Sequence, residues 1–254
     1  MEAQFEMLSE MAKNGDKLNF GQDFFVKFYQ AFLYSDRWQQ YFKGVGTTLL
    51  VTAIALVLGV VLGAIVAMVR VGYAQQKPHH RNPILGVLNA VCQVYVTVIR
   101  GTPMMVQLLI MSMVIFANSR NFTMVGALAL GINSGAYVSE IIRGGLMAVD
   151  PGQMEAGRSL GLNYITTMVV IIIPQAIRAV LPALGNEFIM LLKDTSLITV
   201  IGGKELLYAA QGIMNRTYEA MFPLCGVALI YLVLVMLFTW LLAKFERRLA
   251  QSDR

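Results

Sequence analysis

A chain of 254 residues in which 57% of the side chains are hydrophobic and only 14% are charged is too apolar for an ordinary soluble domain. Its mean hydropathy of +0.62, and the absence of any Asp or Glu between Asp36 and Glu140, predict an integral membrane protein that crosses the bilayer several times. The net charge of +5 does not indicate a nucleic acid partner, because membrane proteins concentrate Lys and Arg in their cytoplasmic loops.

Residues 1–44 are predicted to precede the first membrane span. Residues 1–18 are polar and mixed in charge, and they lack the basic start and apolar core of a cleaved signal peptide. From Phe20 to Phe32 a phenylalanine occurs at every fourth position with polar residues in between, which is typical of an amphipathic helix. We expect this helix to lie in the membrane interface ahead of the first span; a soluble docking helix is the alternative.

Residues 45–69 form the clearest predicted span, because they contain no charged residue and carry glycines that permit close helix packing. The loop that follows, residues 70–82, contains Arg70, Lys77 and Arg81 but no acidic residue. Since cytoplasmic loops are enriched in positive charge, this loop predicts an external N-terminus.

Residues 84–118 are mostly apolar but too long for one straight span. A continuous helix over this stretch would extend over about 52 Å, whereas the hydrocarbon core is about 30 Å thick. Pro103 removes a backbone donor and restricts the residue before it, so we expect the helix to break at residues 100–103. The prediction is a kinked or interrupted second span rather than two complete ones.

Residues 122–147 are predicted to form the third span, and their many glycines and small polar residues indicate packing against protein rather than lipid. The fourth span, residues 165–200, is expected to be kinked because it contains Pro174 and Pro182.

Residues 202–220 are polar enough for a loop outside the bilayer, with a short amphipathic piece around residues 205–207. The fifth span, residues 222–243, ends in Lys244, Arg247 and Arg248. This basic flank predicts a cytoplasmic C-terminus, which agrees with five spans and an external N-terminus.

A short surface helix is predicted between the third and fourth spans. Asp150 suits the N-cap, Pro151 the first helical position, and Gln153 the third position of a capping box. Gly161 should end the helix, because glycine tolerates the left-handed conformation, and Asn163 can cap the next helix. Glu155 is spaced to reach the side chains three or four positions on, which are Arg158 and Ser159, while one face consists of Met154, Gly157 and Leu160.

The surface helix also carries a spaced motif. Its residues are Glu155-Ala156-Gly157, then Gly161 after three residues, then Ile171-Ile172-Ile173-Pro174 after nine more. This part of the chain resembles the Glu-Ala-Ala loop of importer permeases of the ATP-binding-cassette class. Gly157 stands where Ala is common, and Ile173 where Leu is usual. Four further motifs occur in the order of the histidine and glutamine permease family, which the chain resembles over about residues 40–250: residues 46–48 (GTT), 100–103 (RGTP), 137–145 (YVSEIIRGG) and 193–197 (KDTSL).

The resemblance implies a domain organisation and a set of partners. Residues 45–250 would be the importer transmembrane domain, with residues 1–44 ahead of it and a tail at 251–254. Residues 151–161 would be the coupling helix that fits a groove of an ATP-binding-cassette ATPase dimer. That dimer would bind ATP and Mg²⁺, so this chain itself would bind no cofactor. The other implied partners are a second permease subunit, an extracytoplasmic amino-acid-binding protein and the amino acid. The residues implied in ATPase coupling are Glu155, Ala156, Gly157, Arg158 and Gly161.

Ionisable and polar side chains at membrane depth are costly, so they normally face a cavity, a partner or the end of a span. Glu140 and Arg143 are spaced to form an ion pair on one helix face. A free amino acid needs cationic or amide donors near acidic or carbonyl acceptors, and a stripe on the fourth span beside the interrupted second span could supply both. The alternative is that this stripe only joins two permease subunits. The candidate pathway residues are Arg100, Thr102, Gln107, Glu140, Asn186, Glu187, Met190 and Asp194.

The fold class expected from the sequence is an all-α integral membrane protein with five transmembrane helices, a short cytoplasmic coupling helix and an N-terminal interfacial helix. No phosphate-binding glycine loop, nucleophile–base pair or metal-ligand spacing is present, so we do not expect an enzyme. The expected function is that of a dimeric permease subunit in an ATP-driven amino acid importer of a prokaryotic cytoplasmic membrane, working by alternating access.

Three alternatives remain open. The first is a secondary transporter driven by an ion gradient, with Glu140, Glu187 or Asp194 as its proton site. The second is an ATP-binding-cassette permease for a related solute, such as an opine or cystine. The third is a membrane scaffold without transport activity, which would bind partners but move no solute.

Overall fold

The computed structural model describes residues 1–76 and 82–251, and every regular element in these two ranges is helical. Lys77 and Arg81, which contribute to the predicted orientation, lie outside the described residues, as do residues 252–254. The α-helices are α1 (Glu2–Lys13), α2 (Phe20–Phe32), α3 (Arg37–Ala74), α4 (Pro83–Gly101), α5 (Met104–Ile110), α6 (Phe122–Met147), α7 (Gly152–Ser159), α8 (Tyr164–Thr167), α9 (Ile173–Asp194), α10 (Leu206–Thr217) and α11 (Met221–Gln251).

Five helical stretches in the described ranges are long and apolar enough to cross a membrane, which confirms the predicted fold class. The first begins earlier than predicted, because α3 already starts at Arg37. Its N-terminal part is therefore a helix that continues directly into the span. The five stretches are Tyr34–Ala74, Pro83–Gly101, Phe122–Met147, Tyr164–Ile201 and Met221–Leu249.

The predicted break in the second span is confirmed. α4 ends at Gly101, and Thr102 has extended backbone angles of φ −119° and ψ 146°. α5 then starts after Pro103 and continues as a wider π-helical stretch, Met111–Ile115. The apolar stretch is therefore divided into one full-length helix and one short helix.

The fourth span is a chain of short helical pieces rather than a single cylinder. α8 leads into a π-helical stretch, Met168–Ile172, and α9 begins at the residue before Pro174. A π turn changes the hydrogen-bond register, which accommodates a proline that has no backbone N–H. Pro182 lies inside α9, and the span finishes as a 3₁₀ helix, Thr195–Ile201.

α6 is the most enclosed span, as its small residues predicted. In its most apolar window 61% of the residues are buried, compared with 11–33% in the other four spans. Glycines of α3 allow the two backbones to approach: a Cβ added at Gly63 would lie 2.7 Å from Val138 Cβ, and one added at Gly59 would lie 2.7 Å from Ser134 Oγ. The α3–α6 pair is therefore the centre of the fold.

The predicted amphipathic helix is present as α2, which begins with a capping box between Asn19 and Gln22. Phe24 packs edge-on against Phe222 of α11, with ring centroids 5.0 Å apart. α1, which the sequence did not predict, folds back so that Phe5 is buried near α2. The placement of α2 in a membrane interface remains a prediction.

The predicted loop at residues 202–220 is wrong in part. These residues contain a twelve-residue helix, α10, rather than a short amphipathic piece at 205–207. Leu206, Ala210 and Ile213 are completely buried in one cluster with Tyr41 and Val227. Their spacing of four and three positions defines one helix face, which polar neighbours such as Gln211 and Asn215 obscure in the sequence.

Candidate functional site

The surface helix predicted from the sequence is α7, which directly follows the third span. Its start differs from the predicted capping box. Asp150 accepts a hydrogen bond from the backbone N–H of Gly152 at 2.7 Å, two residues on, and the Gln153 side-chain oxygen instead accepts from Gln175 at 3.4 Å. An aspartate that closes a turn on the residue two positions ahead is not free to cap the third helical position.

The end of α7 is as predicted. Gly161 has φ +83°, in the left-handed region where a side chain would be strained. The Leu162 N–H donates to the Gly157 carbonyl at 3.1 Å, and the Gly161 N–H donates to the Arg158 carbonyl at 3.0 Å. These two bonds are the Schellman arrangement that ends a helix. The Asn163 side chain then accepts from the Thr166 N–H at 2.9 Å and caps α8.

Gly157 holds α7 against the start of the fourth span. It is buried, and a Cβ added there would lie 2.5 Å from Thr167 Cγ2. Leu160, which was predicted on the same face as Gly157, is not buried, since its side chain is 80% exposed. The predicted pairing of Glu155 with Arg158 is not formed among the ion pairs of the described residues.

α7 therefore has one face bound to its own chain and one face turned outward. Glu155, Ala156 and Arg158 all lie on the exposed side. A cleft of about 640 Å³ beside the helix is lined by Met147, Met154, Glu155 and residues from the ends of the first and fourth spans. Those two ends are joined by a hydrogen bond from the Tyr164 hydroxyl to the Gln75 side chain.

An ion cluster lies deeper, between the first and third spans. The predicted Glu140–Arg143 pair is confirmed, with Arg143 Nη2 2.7 Å from Glu140 Oε2. Arg70, which the sequence indicated only as part of a basic loop, reaches the other carboxylate oxygen from the last turns of α3. Both oxygens of Glu140 are therefore bound by guanidinium groups of the same chain.

The polar residues at the break in the second span are also bound internally. The Gln107 amide donates to the Ile99 carbonyl and to the Thr102 hydroxyl, both at 2.8 Å, and its oxygen accepts from Asn133 at 2.9 Å. Gln107 thus supplies the donor that the broken helix lacks at Ile99. Arg100 is exposed and lies over the ring of Tyr137, with the guanidinium carbon 5.2 Å from the ring centroid.

The predicted stripe on the fourth span divides into two faces. Asn186 and Met190 are exposed, whereas Glu187 is 7% exposed and accepts a hydrogen bond from Ser134 of α6 at 2.7 Å. Asp194 is half-buried. Residues four apart share a face, but Glu187 lies one position round the helix from Asn186, which is enough to turn it inward.

A buried acid that the sequence did not single out lies at the end of the molecule opposite α7. Glu205 is 1% exposed and caps α10 by accepting from the Tyr208 N–H at 2.7 Å. The Tyr231 hydroxyl donates to its other oxygen at 2.7 Å, and the Thr199 hydroxyl also donates to Glu205. An acid just ahead of the apolar period of α10 was the available signal.

Comparison with known proteins connects this architecture to a family. Residues 83–251 match the family described as the binding-protein-dependent transport system inner membrane component. A glutamine transport system permease protein of Escherichia coli (strain K12) is 34% identical over 213 residues, which cover 82% of this chain and 91% of the relative. An arginine transport system permease protein of Bacillus subtilis (strain 168) is 33% identical over 216 residues, or 83% of this chain and 93% of the relative.

One solved structure is similar to this chain in both sequence and fold. It is the crystal structure of an amino acid ABC transporter with histidines, 40% identical to this chain, with a TM-score of 0.74. The match covers 83% of this chain and 94% of that one.

Proposed function

This chain belongs to the family of binding-protein-dependent transport system inner membrane components, the permease subunits of ATP-binding-cassette transporters, and we propose that it imports a polar amino acid. The observation that carries the proposal is the outward face of α7, where Glu155, Ala156 and Arg158 are exposed on a helix anchored to the fourth span by Gly157. The relatives named for glutamine and arginine, and the transporter solved with histidines, support an amino acid as the substrate.

In this proposal α7 is the coupling helix and transmits movement from an ATPase dimer that binds ATP and Mg²⁺. Glu155 and Arg158 make polar contacts in a groove of that partner, and Leu160 adds an apolar contact. Because Gly157 leaves no gap between α7 and Thr167, displacement of α7 displaces the start of the fourth span. The π stretch and the two prolines that follow are the places where the span can bend.

The pathway in this proposal runs between two permease subunits, identical or different. Arg100, Asn186 and Met190 face outward from a single chain, so a second subunit is needed to enclose them. Arg100 supplies a cation for the carboxylate of the amino acid, and Asn186 and Asp194 supply oxygen acceptors for its ammonium group. Glu140 and Gln107 take a supporting part, because their polar atoms are already bound within the chain.

We propose that the N-terminus lies outside and the C-terminus in the cytoplasm of a prokaryotic cell. The basic residues at the end of α11 and the ATPase contact at α7 then lie on the same side. Residues 1–44 are external, residues 45–250 form the transporter domain, and an extracytoplasmic binding protein delivers the amino acid near the Glu205 end.

The test is co-expression of the full chain with its ATPase and purification of the complex. Glu155→Lys is expected to lose the ATPase, while Glu246→Lys, a matched charge reversal near the C-terminus, is expected to retain it. Purified wild type reconstituted with ATPase and binding protein should then accumulate an amino acid only when ATP is present inside the vesicles. Uptake by the chain alone that an uncoupler abolishes would instead identify a secondary transporter.

A further inference from the structure

The contacts of Glu205 join three parts of the chain that are distant in sequence. Its carboxylate binds Thr199 in the 3₁₀ end of the fourth span, Tyr231 in α11, and the backbone of its own helix α10. The Tyr231 oxygen also lies 3.4 Å from that of Thr195. A single buried carboxylate therefore connects the 3₁₀ end of the fourth span to the fifth span.

The first span is attached to the same place. The Leu206 N–H, next to Glu205, donates to the Thr48 hydroxyl of α3 at 3.3 Å. One turn earlier, a Cβ added at Gly44 would lie only 2.8 Å from Leu206 Cα, so the backbones of α3 and α10 are in direct contact. We call Thr48, Thr199, Glu205 and Tyr231 the Glu205 clamp.

The clamp depends on hydrogen bonds rather than on an ion pair. In the part of the chain that the structure describes, Glu205 has no Lys or Arg within ion-pair distance. Its carboxylate accepts from one backbone N–H at the N-terminus of α10, that of Tyr208, and from the hydroxyls of Thr199 and Tyr231. A buried carboxylate of this kind is costly if any donor is removed, because water does not reach it.

We propose that Glu205 is a positioning residue for transport, which holds the outer halves of the first, fourth and fifth spans as one rigid unit. This inference rests on the proposed function. The fourth span can bend at its π stretch and Pro174, which lie toward the α7 end, and at Pro182 in its middle. A displacement of α7 moves the outer end of the pathway only if that end is held as a unit. Without such a unit, the 3₁₀ segment Thr195–Ile201 deforms and the displacement does not reach the outer end.

The experiment uses the reconstituted complex with ATPase and binding protein and measures amino acid taken up per ATP hydrolysed. Tyr231→Phe removes only the hydroxyl that donates to Glu205, while Glu205→Gln keeps the side-chain size and an oxygen for the Tyr208 N–H. Tyr208→Phe is the matched control, because this tyrosine lies at the same end with its side chain 39% exposed.

We expect uptake per ATP to fall about tenfold in both clamp variants, the size of population shift that follows from losing one charge-assisted hydrogen bond. The ATPase should remain bound, and the control should match wild type. The effects of Tyr231→Phe and Glu205→Gln should not add in the double variant, since both remove the hydrogen bond that the Tyr231 hydroxyl donates to a carboxylate oxygen.

Two other results are distinguishable. If both clamp variants keep the wild-type ratio of uptake to ATP hydrolysed, the inference is overturned, even when their thermal unfolding midpoints fall, because the clamp is then only structural. If the wild-type complex itself shows no ATP-driven uptake, the proposed function fails before the variants are compared.

Discussion

The two ends of this permease are built in opposite ways. At one end α7 exposes Glu155, Ala156 and Arg158, with Gly157 as its buried contact to the rest of the chain. At the other end Glu205 is completely buried and receives donors from three separate elements. The polar side chains of α7 are exposed, whereas the carboxylate at the other end is hydrogen-bonded within the chain.

Because of this difference, we expect substitutions on the exposed face of α7 and substitutions of buried polar groups to affect stability differently. Substitution of an exposed side chain usually changes the free energy of unfolding by less than about 0.5 kcal/mol, whereas an orphaned buried polar group costs about 1–3 kcal/mol. Changes on the outer face of α7 should therefore leave the fold intact and remove partner binding. Changes at buried polar groups should lower stability as well as activity.

The largest expected effect is at the ion cluster between the two ends. Glu140→Ala leaves the partly buried Arg70 and Arg143 without their shared carboxylate, so we expect the free energy of unfolding to fall by about 3 kcal/mol. Thermal unfolding of the purified chain in detergent measures this, with Glu246→Ala as a control. An unchanged midpoint would mean that water or lipid headgroups already solvate the two guanidinium groups.

Next in size is removal of the acid at the buried end. Glu205→Ala deprives α10 of its cap and leaves the Tyr231 and Thr199 hydroxyls without an acceptor, which should cost about 2 kcal/mol or more. Glu219→Ala, at a half-buried acid of the same end, should cost less. Equal losses in the two variants would mean that the burial and hydrogen bonds of Glu205 add nothing to its contribution to stability.

A smaller effect is expected at the anchored face of α7. Gly157→Ala places a Cβ 2.5 Å from Thr167 Cγ2, so overpacking should cost about 1–2 kcal/mol. At Gly144, a helical glycine with no neighbour within 4 Å of an added Cβ, the same change should be neutral or stabilise by up to about 1 kcal/mol. The unfolding midpoints of the two alanine variants should move in opposite directions or differ clearly.

The smallest effect on stability is expected on the outer face of α7. Arg158→Glu should shift the free energy of unfolding by less than about 0.5 kcal/mol, because the side chain is exposed and forms no ion pair among the described residues. Co-purification with the ATPase should nevertheless be lost. If Arg158→Glu lowers the unfolding midpoint and the variant still binds the ATPase, Arg158 contributes to stability and not to partner binding.

Features that depend on a few neighbouring residues were predictable from the sequence. The break before Pro103, the end of α7 at Gly161 and the cap at Asn163 all appear where predicted, because proline, glycine and asparagine act on the backbone next to them. The third span matches residues 122–147, since small and apolar residues recur along the whole helix.

The sequence alone determined the membrane class, the five spans and the family motif, because hydropathy and backbone preferences depend only on each residue and its near neighbours in the chain. Only the tertiary structure decided that Arg70 reaches Glu140, that Glu187 turns toward Ser134, and that Glu205 lies buried among three elements. The partner of a buried charge depends on which helices pack together and at what rotation. Neighbouring residues on a helix point in different directions, so the side chain of Asn186 is exposed while that of Glu187 is buried.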